Sequence, residues 1–574
     1  MKSRTSLFNP TIFKKDLTRF APAWVLYTVG LFMILTVVMA DNPLYYRAAN
    51  LAEVLAFMGF INLAYGLLNA QLLFGDLFSA RHCNALHAMP LRRECWFVTH
   101  AASGLAFSFG PNLLMALVSM TMLGGAWTVA VWWLLAVCLQ YLFFFGLAVC
   151  SALCVGNRFA MVLVYGIVNF FSLIVYWFYH TMYEPLLYGV HVTEEPFLLW
   201  CPAWTMMDNY EMILVERVET MNGPGYQVES VLLGEGWGYL AICACLGAVL
   251  LGVALLLYRR RRLESAGDFM AVRALEPVFL VLYTMCAAAG FQVFAELFNA
   301  PEYLFLALGL VVGFFTGRML LMRTTKVFQP KGFLWFGVLA VAFVVSLLLT
   351  WLDPIGLTRY IPETGEIREA KISTSYNPQY GDEPYLSDKA DMETIRQIHR
   401  LVLEGQIHTT IQEDRDYYSN LCIQYVLDGR VVTRKYNVAC SSAAGQLAKT
   451  LFTRPEYILG TDDVDEFMRQ LNHVYYDKNL VYESGEVYKD QTNAAYLRGL
   501  VEAIMADCAE GNMAQNHGYH ADEEQYGWMD FNLHVDDDRG DYYSYYNVMI
   551  YPCCRHTVAY LEANPFPVTE EFYG

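Results

Sequence analysis

The chain has 574 residues, 56% of them hydrophobic and 16% charged, with a net charge of −18. The apolar residues crowd into blocks of about 20 within the first 350 positions, the length a helix needs to cross a bilayer, so the chain reads as a polytopic α-helical membrane protein. The acidity lies beyond Trp351: residues 353–574 carry 37 acids against 18 bases, and the rest is nearly neutral, which argues against a nucleic-acid partner.

A basic, amphipathic stretch, NPTIFKKDLTRF, precedes the first span. No small-residue cleavage site follows a short apolar core, so no removable signal peptide is expected. Hydropathy predicts nine transmembrane helices, near residues 22–40, 54–75, 100–123, 128–155, 160–181, 236–257, 277–296, 303–317 and 333–352. Asn62 and Asn69 share one helical face, and Gln140 and Asn169 lie in later spans. Polar groups in hydrocarbon must face protein or water. These four either line a translocation path or bond between helices, the commoner use. Gly309, Gly313 and Gly317, with Ala287, Ala288, Ala289 and Gly290 in the preceding span, predict a closely packed helix pair.

Between the second and third spans lies GDLFSARHCNALHAMPLRRECWF, residues 75–97, in which arginines are interleaved with apolar side chains. Pro90 disfavours helix at Met89, so a short amphipathic helix, a bend and a restart through Leu91 are expected, displaying Leu86, His87, Arg92 and Arg93. Such a helix suits docking into a partner's groove or lying on membrane lipid. His82, Cys83, His87 and Cys95 lack the paired spacing of a zinc site, so no metal is expected there. With a cytoplasmic N-terminus, 18 Lys and Arg fall on the inner side against Arg47 and Arg217 outside, which sets the orientation and puts residues 353–574 outside. YRRRRLESAGDF, residues 258–269, reads as a stop-transfer anchor touching anionic lipid.

Residues 353–574 are expected to form an extracytoplasmic α+β domain with an internal duplication, in repeats over about 360–458 and 470–570. METIRQIHRLVLEG, ending at Gly405, resembles RGLVEAIMADCAEG, ending at Gly511. Each is followed by an alternating hairpin, the first turning at Asp428-Gly429, and then by a helix, around residues 443–452 and 556–564. Asp536, Asp537, Asp538 and Asp541 do not follow an EF-hand spacing, and His517 and His520 lack a helical zinc spacing. Cys422 and Cys440 are candidates to face each other across the first hairpin, although pairing is not deducible from sequence.

The stretches NPTIFKKDLTRFAPAWVLY, LFSARHCNALHAMPLRRECWFVTHAASGL and YRRRRLESAG resemble the permease subunits of ABC-2 type transporters, especially a group common in Gram-positive bacteria. The resemblance covers residues 1–270 well. It implies a cytoplasmic elbow helix in residues 1–21, a six-span permease core over 22–257, and an ATPase-coupling loop carried by Ser79, Arg81, Leu86, His87, Pro90, Arg92, Arg93 and Glu94. The connection over residues 181–235, with PFLLWCPAWTMM, resembles the family's outer cap. Three additional helices over 258–352 and the outer domain depart from the family's pattern.

The resemblance further implies a second permease chain, in a homo- or heterodimer, and separate ABC ATPase subunits that bind ATP and Mg. The chain itself has no G-x-x-x-x-G-K-[ST] loop and no dense set of intramembrane acids, so no cofactor and no catalytic site are expected on it. The implied function is the multi-pass subunit of an ATP-driven exporter in a bacterial cell membrane, moving a peptide antibiotic or envelope lipid-like substrate outward. The alternative is a membrane sensor whose outer domain binds a ligand and whose loop signals to a partner. A hydrolase anchored by nine spans ranks last.

Overall fold

The structure, a computed structural model, describes residues 7–39, 44–88, 92–123, 127–193, 195–208, 212–219, 225–233, 236–261, 265–374, 384–405, 418–478, 483–489, 493–514, 524–537 and 540–566. The chain divides into two compact units, residues 1–182 with 194–346, and residues 183–193 with 347–574.

In chain order up to residue 352 the elements are α1 (Pro10–Arg19), α2 (Ala21–Met39), α3 (Leu44–Leu73), α4 (Ala80–His87), α5 (Arg93–Leu123), α6 (Trp127–Cys154), α7 (Arg158–Asn169), α8 (Phe171–Met182), the strand β1 (Val190–His191), α9 (Glu195–Leu199), α10 (Pro202–Asp208), the hairpin β2 (Met212–Glu219) and β3 (Gly225–Leu233), α11 (Trp237–Arg260), α12 (Glu276–Leu297), α13 (Glu302–Met322) and α14 (Pro330–Leu352). Eight of these, α2, α3, α5, α6 and α11 to α14, are long and apolar enough to cross a membrane. The expected fifth span is instead a broken pair, α7 and α8, bent by 64°. At the break Phe170 leaves helical geometry, with φ −107° and ψ 14°. The Asn169 amide donates back to the Tyr165 carbonyl at 2.8 Å, and the Cys201 thiol to the Asn169 carbonyl at 3.4 Å. These bonds satisfy carbonyls in the broken region, which hydrocarbon would otherwise penalise.

The eighth span runs to Met322 rather than 317, and the Arg318 guanidinium lies back over the Phe314 ring at 5.9 Å. α12 and α13 pack as closely as their small residues predict. A Cβ on Gly309 would lie 2.7 Å from Ala288 Cα, and one on Gly313 2.7 Å from Ala287 Cβ; Gly290 faces open space and is not part of the seam. A second close seam joins α6 and α11, where a Cβ on Gly146 would lie 2.4 Å from the Gly247 carbonyl. α6 carries the middle of the core, with Trp133, Tyr141, Phe144 and Phe145 fully buried.

The second unit continues with β4 (Ile367–Ser373), α15 (Lys389–Gly405), β5 (Tyr418–Leu427), β6 (Arg430–Ala439), α16 (Ala443–Phe452), α17 (Pro455–Leu459), α18 (Val464–Gln470), β7 (Leu471–Lys478), β8 (Glu483–Tyr488), α19 (Ala494–Ala509), β9 (Gly527–Asp537), β10 (Gly540–Ile550) and α20 (Arg555–Ala563). They build two antiparallel sheets, ordered β1-β6-β5-β4 and β10-β9-β7-β8. Each has its own core, because each sheet turns apolar residues inward and receives helices on that side, α15 and α16 on the first and α18, α19 and α20 on the second. Leu421, Ile423, Tyr425 and Leu427 of β5 meet Ile395, Ile398 and Val402 of α15. Met529, Phe531 and Leu533 of β9 meet Leu497, Leu500, Val501 and Ile504 of α19.

The Asp428-Gly429 turn closes the first hairpin, with Leu427 opposite Arg430 and only Gly429 at positive φ, +81°. That register puts Cys422 opposite Lys435, and Cys440 lies past the end of β6, so the two cysteines do not face each other. They do not form a disulfide with each other.

Candidate functional site

The intramembrane polar candidates are buried among the helices. Asn62 on α3 donates to Gln140 Oε1 on α6 at 2.9 Å, and Asn69 donates to the Tyr141 hydroxyl at 2.8 Å. Tyr141 in turn donates to the Gly104 carbonyl of α5, and Tyr65 to that of Phe107. Gln140 also approaches the Met206 carbonyl of α10 at 3.5 Å. Asn62, Asn69 and Gln140 therefore knit α3, α5, α6 and α10 together, while Asn169 sits apart at the α7–α8 break. Asn62 and Asn69 each keep a buried Oδ1 without a hydrogen-bond partner among the described residues.

The opposite kind of site, exposed and charged, forms where helix ends gather around α4. The short helix expected before Pro90 is present as α4. Pro90 and the side chains of Leu86 and His87 lie outside the described residues. On α4 the Cys83 side chain is buried, while Arg81, His82 and Asn84 are exposed, so one face rests on protein and the other is presented. The Ser79 carbonyl accepts from the Cys83 N–H at 2.8 Å and starts the helix.

Arg92 is exposed, but Arg93 and Glu94 fall in the first turn of α5. Arg93 is not displayed as its sequence position suggests. Its Nη1 lies 3.3 Å from the carbonyls of both Arg259 and Arg261, closing the end of α11, and Glu94 pairs with Arg259 at 3.1 Å. A helix end leaves carbonyls unpaired, and a neighbouring guanidinium satisfies them.

Three groups that the sequence did not single out complete this face. Arg261 donates to the carbonyls of Ala152, Leu153 and Val155 at the end of α6, at 3.1, 3.2 and 2.9 Å, and reaches the Leu77 carbonyl at 3.4 Å. The arginine run at the end of α11 thus acts, through Arg261, as a structural clamp. Asp16, buried in α1, lies 2.7 Å from His100 Nδ1 and accepts from the Ser103 hydroxyl at 2.9 Å. The Asn9 N–H donates to the Thr99 hydroxyl at 3.0 Å, so α1 is docked on α5 at two points. Asp76 lies 3.9 Å from Arg19 and 3.8 Å from His82, linking α1 to the residues around α4. A lone acid inside the basic stretch FKKDLTRF was the available signal for Asp16.

In the second unit, Asp507, Glu510 and His556 are the one group among the described residues close enough to share a cation. Asp507 is already engaged: it accepts from the N–H groups of His556 and Thr557 at 3.1 and 2.7 Å and from the Thr557 hydroxyl at 2.7 Å, capping α20. Glu510 and His556 form an exposed pair at 3.0 Å. His517, His520, Asp538 and the side chains of Asp536, Asp537 and Asp541 lie outside the described residues. The geometry on the α4 face is mechanical in kind, made of helix-end clamps around a presented basic surface.

The chain matches no protein-family model, no curated protein and no solved structure.

Proposed function

We propose that the chain is the membrane subunit of an ATP-driven exporter of the ABC-2 type, with separate ATPase subunits docking on α4. The observation that supports this reading is the division of labour around that helix. Arg81 and Arg92 are presented with no partner among the described residues, while Arg93, Glu94 and Asp76 tie the same segment to α11 and α1. A surface built this way receives a partner and passes its motion to several spans at once. The 18 to 2 distribution of basic residues supports placing this face in the cytoplasm of a bacterial cell and the second unit outside. A second permease chain completes the transporter, and a peptide- or lipid-like cargo follows from the resemblance.

The outer unit reads as two copies of one β-α-β-β-α unit, β4-α15-β5-β6-α16 and β7-α19-β9-β10-α20, with β1 and β8 added at opposite edges. Tyr436 and Tyr546, at matching points of the two hairpins, each press on a glycine of positive φ, Gly189 and Gly460.

The test is gentle extraction of the tagged chain from native membranes and identification of co-purifying proteins, with Arg81→Glu and Arg92→Glu as the comparison. Both residues are exposed, so insertion should be unchanged, and recovery of an ATPase should fall by about tenfold or more, as for charge reversal in a docking patch. An ATPase recovered equally from both proteins refutes the docking assignment, and a signalling protein in its place favours the sensor.

A further inference from the structure

A cleft of about 500 Å³ opens beside the end of α11, walled by Leu153, Leu257 and Met270 and edged by Arg260, Arg261 and Arg273. The strap that carries its lining residues Asp268, Met270 and Ala271 is fixed by backbone bonds, Gly267 N–H to the Gly156 carbonyl at 2.8 Å and Ala271 N–H to the Cys154 carbonyl at 2.8 Å. Gly156 is held so close to this strap that a Cβ would lie 2.3 Å from the Asp268 carbonyl. Arg261 is spent on helix-end carbonyls, but the side chains of Arg260 and Arg273 have neither an ion pair nor a hydrogen bond among the described residues. The acid on the rim, Asp268, lies 3.8 Å from Arg323.

We propose that this cleft binds the phosphate headgroup of an anionic membrane phospholipid, held by Arg260 and Arg273, with the apolar wall taking the start of an acyl chain. The depth is right for such a ligand. Arg260 is the last residue of one candidate span and Arg273 the first of the next, so both belong at the level where headgroups lie. The chemistry is also right, because planar guanidinium groups grip phosphate oxygens in pairs while an aliphatic wall excludes water from one side. This site is independent of whether an ATPase docks on α4.

The experiment is native mass spectrometry of the full chain in detergent, titrated with dioleoylphosphatidylglycerol, with dioleoylphosphatidylcholine and with inorganic phosphate. Phosphatidylglycerol binding should exceed that of phosphatidylcholine, and Arg260→Gln with Arg273→Gln should weaken it by about tenfold or more, the loss expected from two charged hydrogen-bonding contacts. Arg81→Gln with Arg92→Gln removes the same charge from exposed positions and should leave it unchanged. Equal loss in both double variants, or none in the first, overturns the proposal. Displacement of the lipid by millimolar inorganic phosphate overturns the lipid as the occupant.

Discussion

Gly189→Ala probes the seam by which the short strand β1 joins the first sheet of the second unit. Gly189 sits at φ +72°, and an added Cβ would lie 1.9 Å from Tyr436 Cε1 and 2.7 Å from its hydroxyl. The ring is not free to swing aside. Its hydroxyl is 2.7 Å from His399 Nε2, and its face packs on Tyr188 at 5.3 Å between centroids. The left-handed backbone alone costs an alanine about 1–2 kcal/mol. Moving Tyr436 would forfeit a buried hydrogen bond worth about 1–3 kcal/mol.

The cheaper relief is for β1 to peel away, since it holds only the pairs Val190–Arg434 and His191–Thr433 and the bond from Lys435 N–H to the Gly189 carbonyl at 2.9 Å. A cost of about 2–3 kcal/mol corresponds to about 30- to 150-fold more frequent opening. Hydrogen exchange of the full chain, read by mass spectrometry, should show that gain in peptides over 183–193 and at the edge of β6, with β4 and α15 unchanged. Gly365→Ala, which meets open space at an ordinary φ, is the control. Unchanged protection at 183–193 in Gly189→Ala would refute the reasoning.

Burial against Tyr425 and Tyr436, reinforced by the Arg434 charge, drops His399 to a pKa of about 3. An unfolded histidine takes up a proton near pH 6.5 that the folded one refuses, so stability of the first sheet should fall as pH drops below about 6.5 toward 3, by up to about 1.4 kcal/mol per unit. His399→Gln should flatten that slope in urea-dependent protease resistance of the second unit; parallel slopes count against it. Gly247→Ala would bring a Cβ within 2.6 Å of the Leu142 carbonyl and Phe143 Cα, forcing α6 and α11 apart at a cost of about 1–3 kcal/mol. Steric-trapping unfolding in bilayers should register that loss, while Gly252→Ala, with nothing within 4 Å, should match the wild type.

The elements that the sequence foretold are those whose signal is local. Apolar length placed the spans, and helical and alternating periods placed α15, α19 and both C-terminal hairpins. The close α12–α13 seam was legible because three glycines recur at intervals of four. The α6–α11 seam was not, because Gly146 and Gly247 lie 101 residues apart and neither belongs to a run of glycines at intervals of four. The break at Phe170 was hidden for the same reason: its satisfying thiol, Cys201, comes from another element. Edge strand β1 is two residues long and has no period at all, so only its partner β6 defines it.

The candidate site shows why neighbours in sequence divide into different roles. Arg92 and Arg93 are alike in type and adjacent, yet only Arg93 lies over the unpaired carbonyls that end α11. Its reversal to Glu would set a carboxylate against those carbonyls and beside Glu94, and would damage the unit whether or not a partner docks there. Arg81→Glu with Arg92→Glu touches only the presented surface, so a lost partner there is attributable to docking. The same geometry fixes what a docked partner could do. A push on α4 meets Asp76 and, through it, α1; it meets the Leu77 carbonyl and, through Arg261, the end of α6; and at the start of α5 it meets Arg93 and α11. Helices packed backbone to backbone do not absorb such a displacement by side-chain adjustment, so it must move α6 and α11 together.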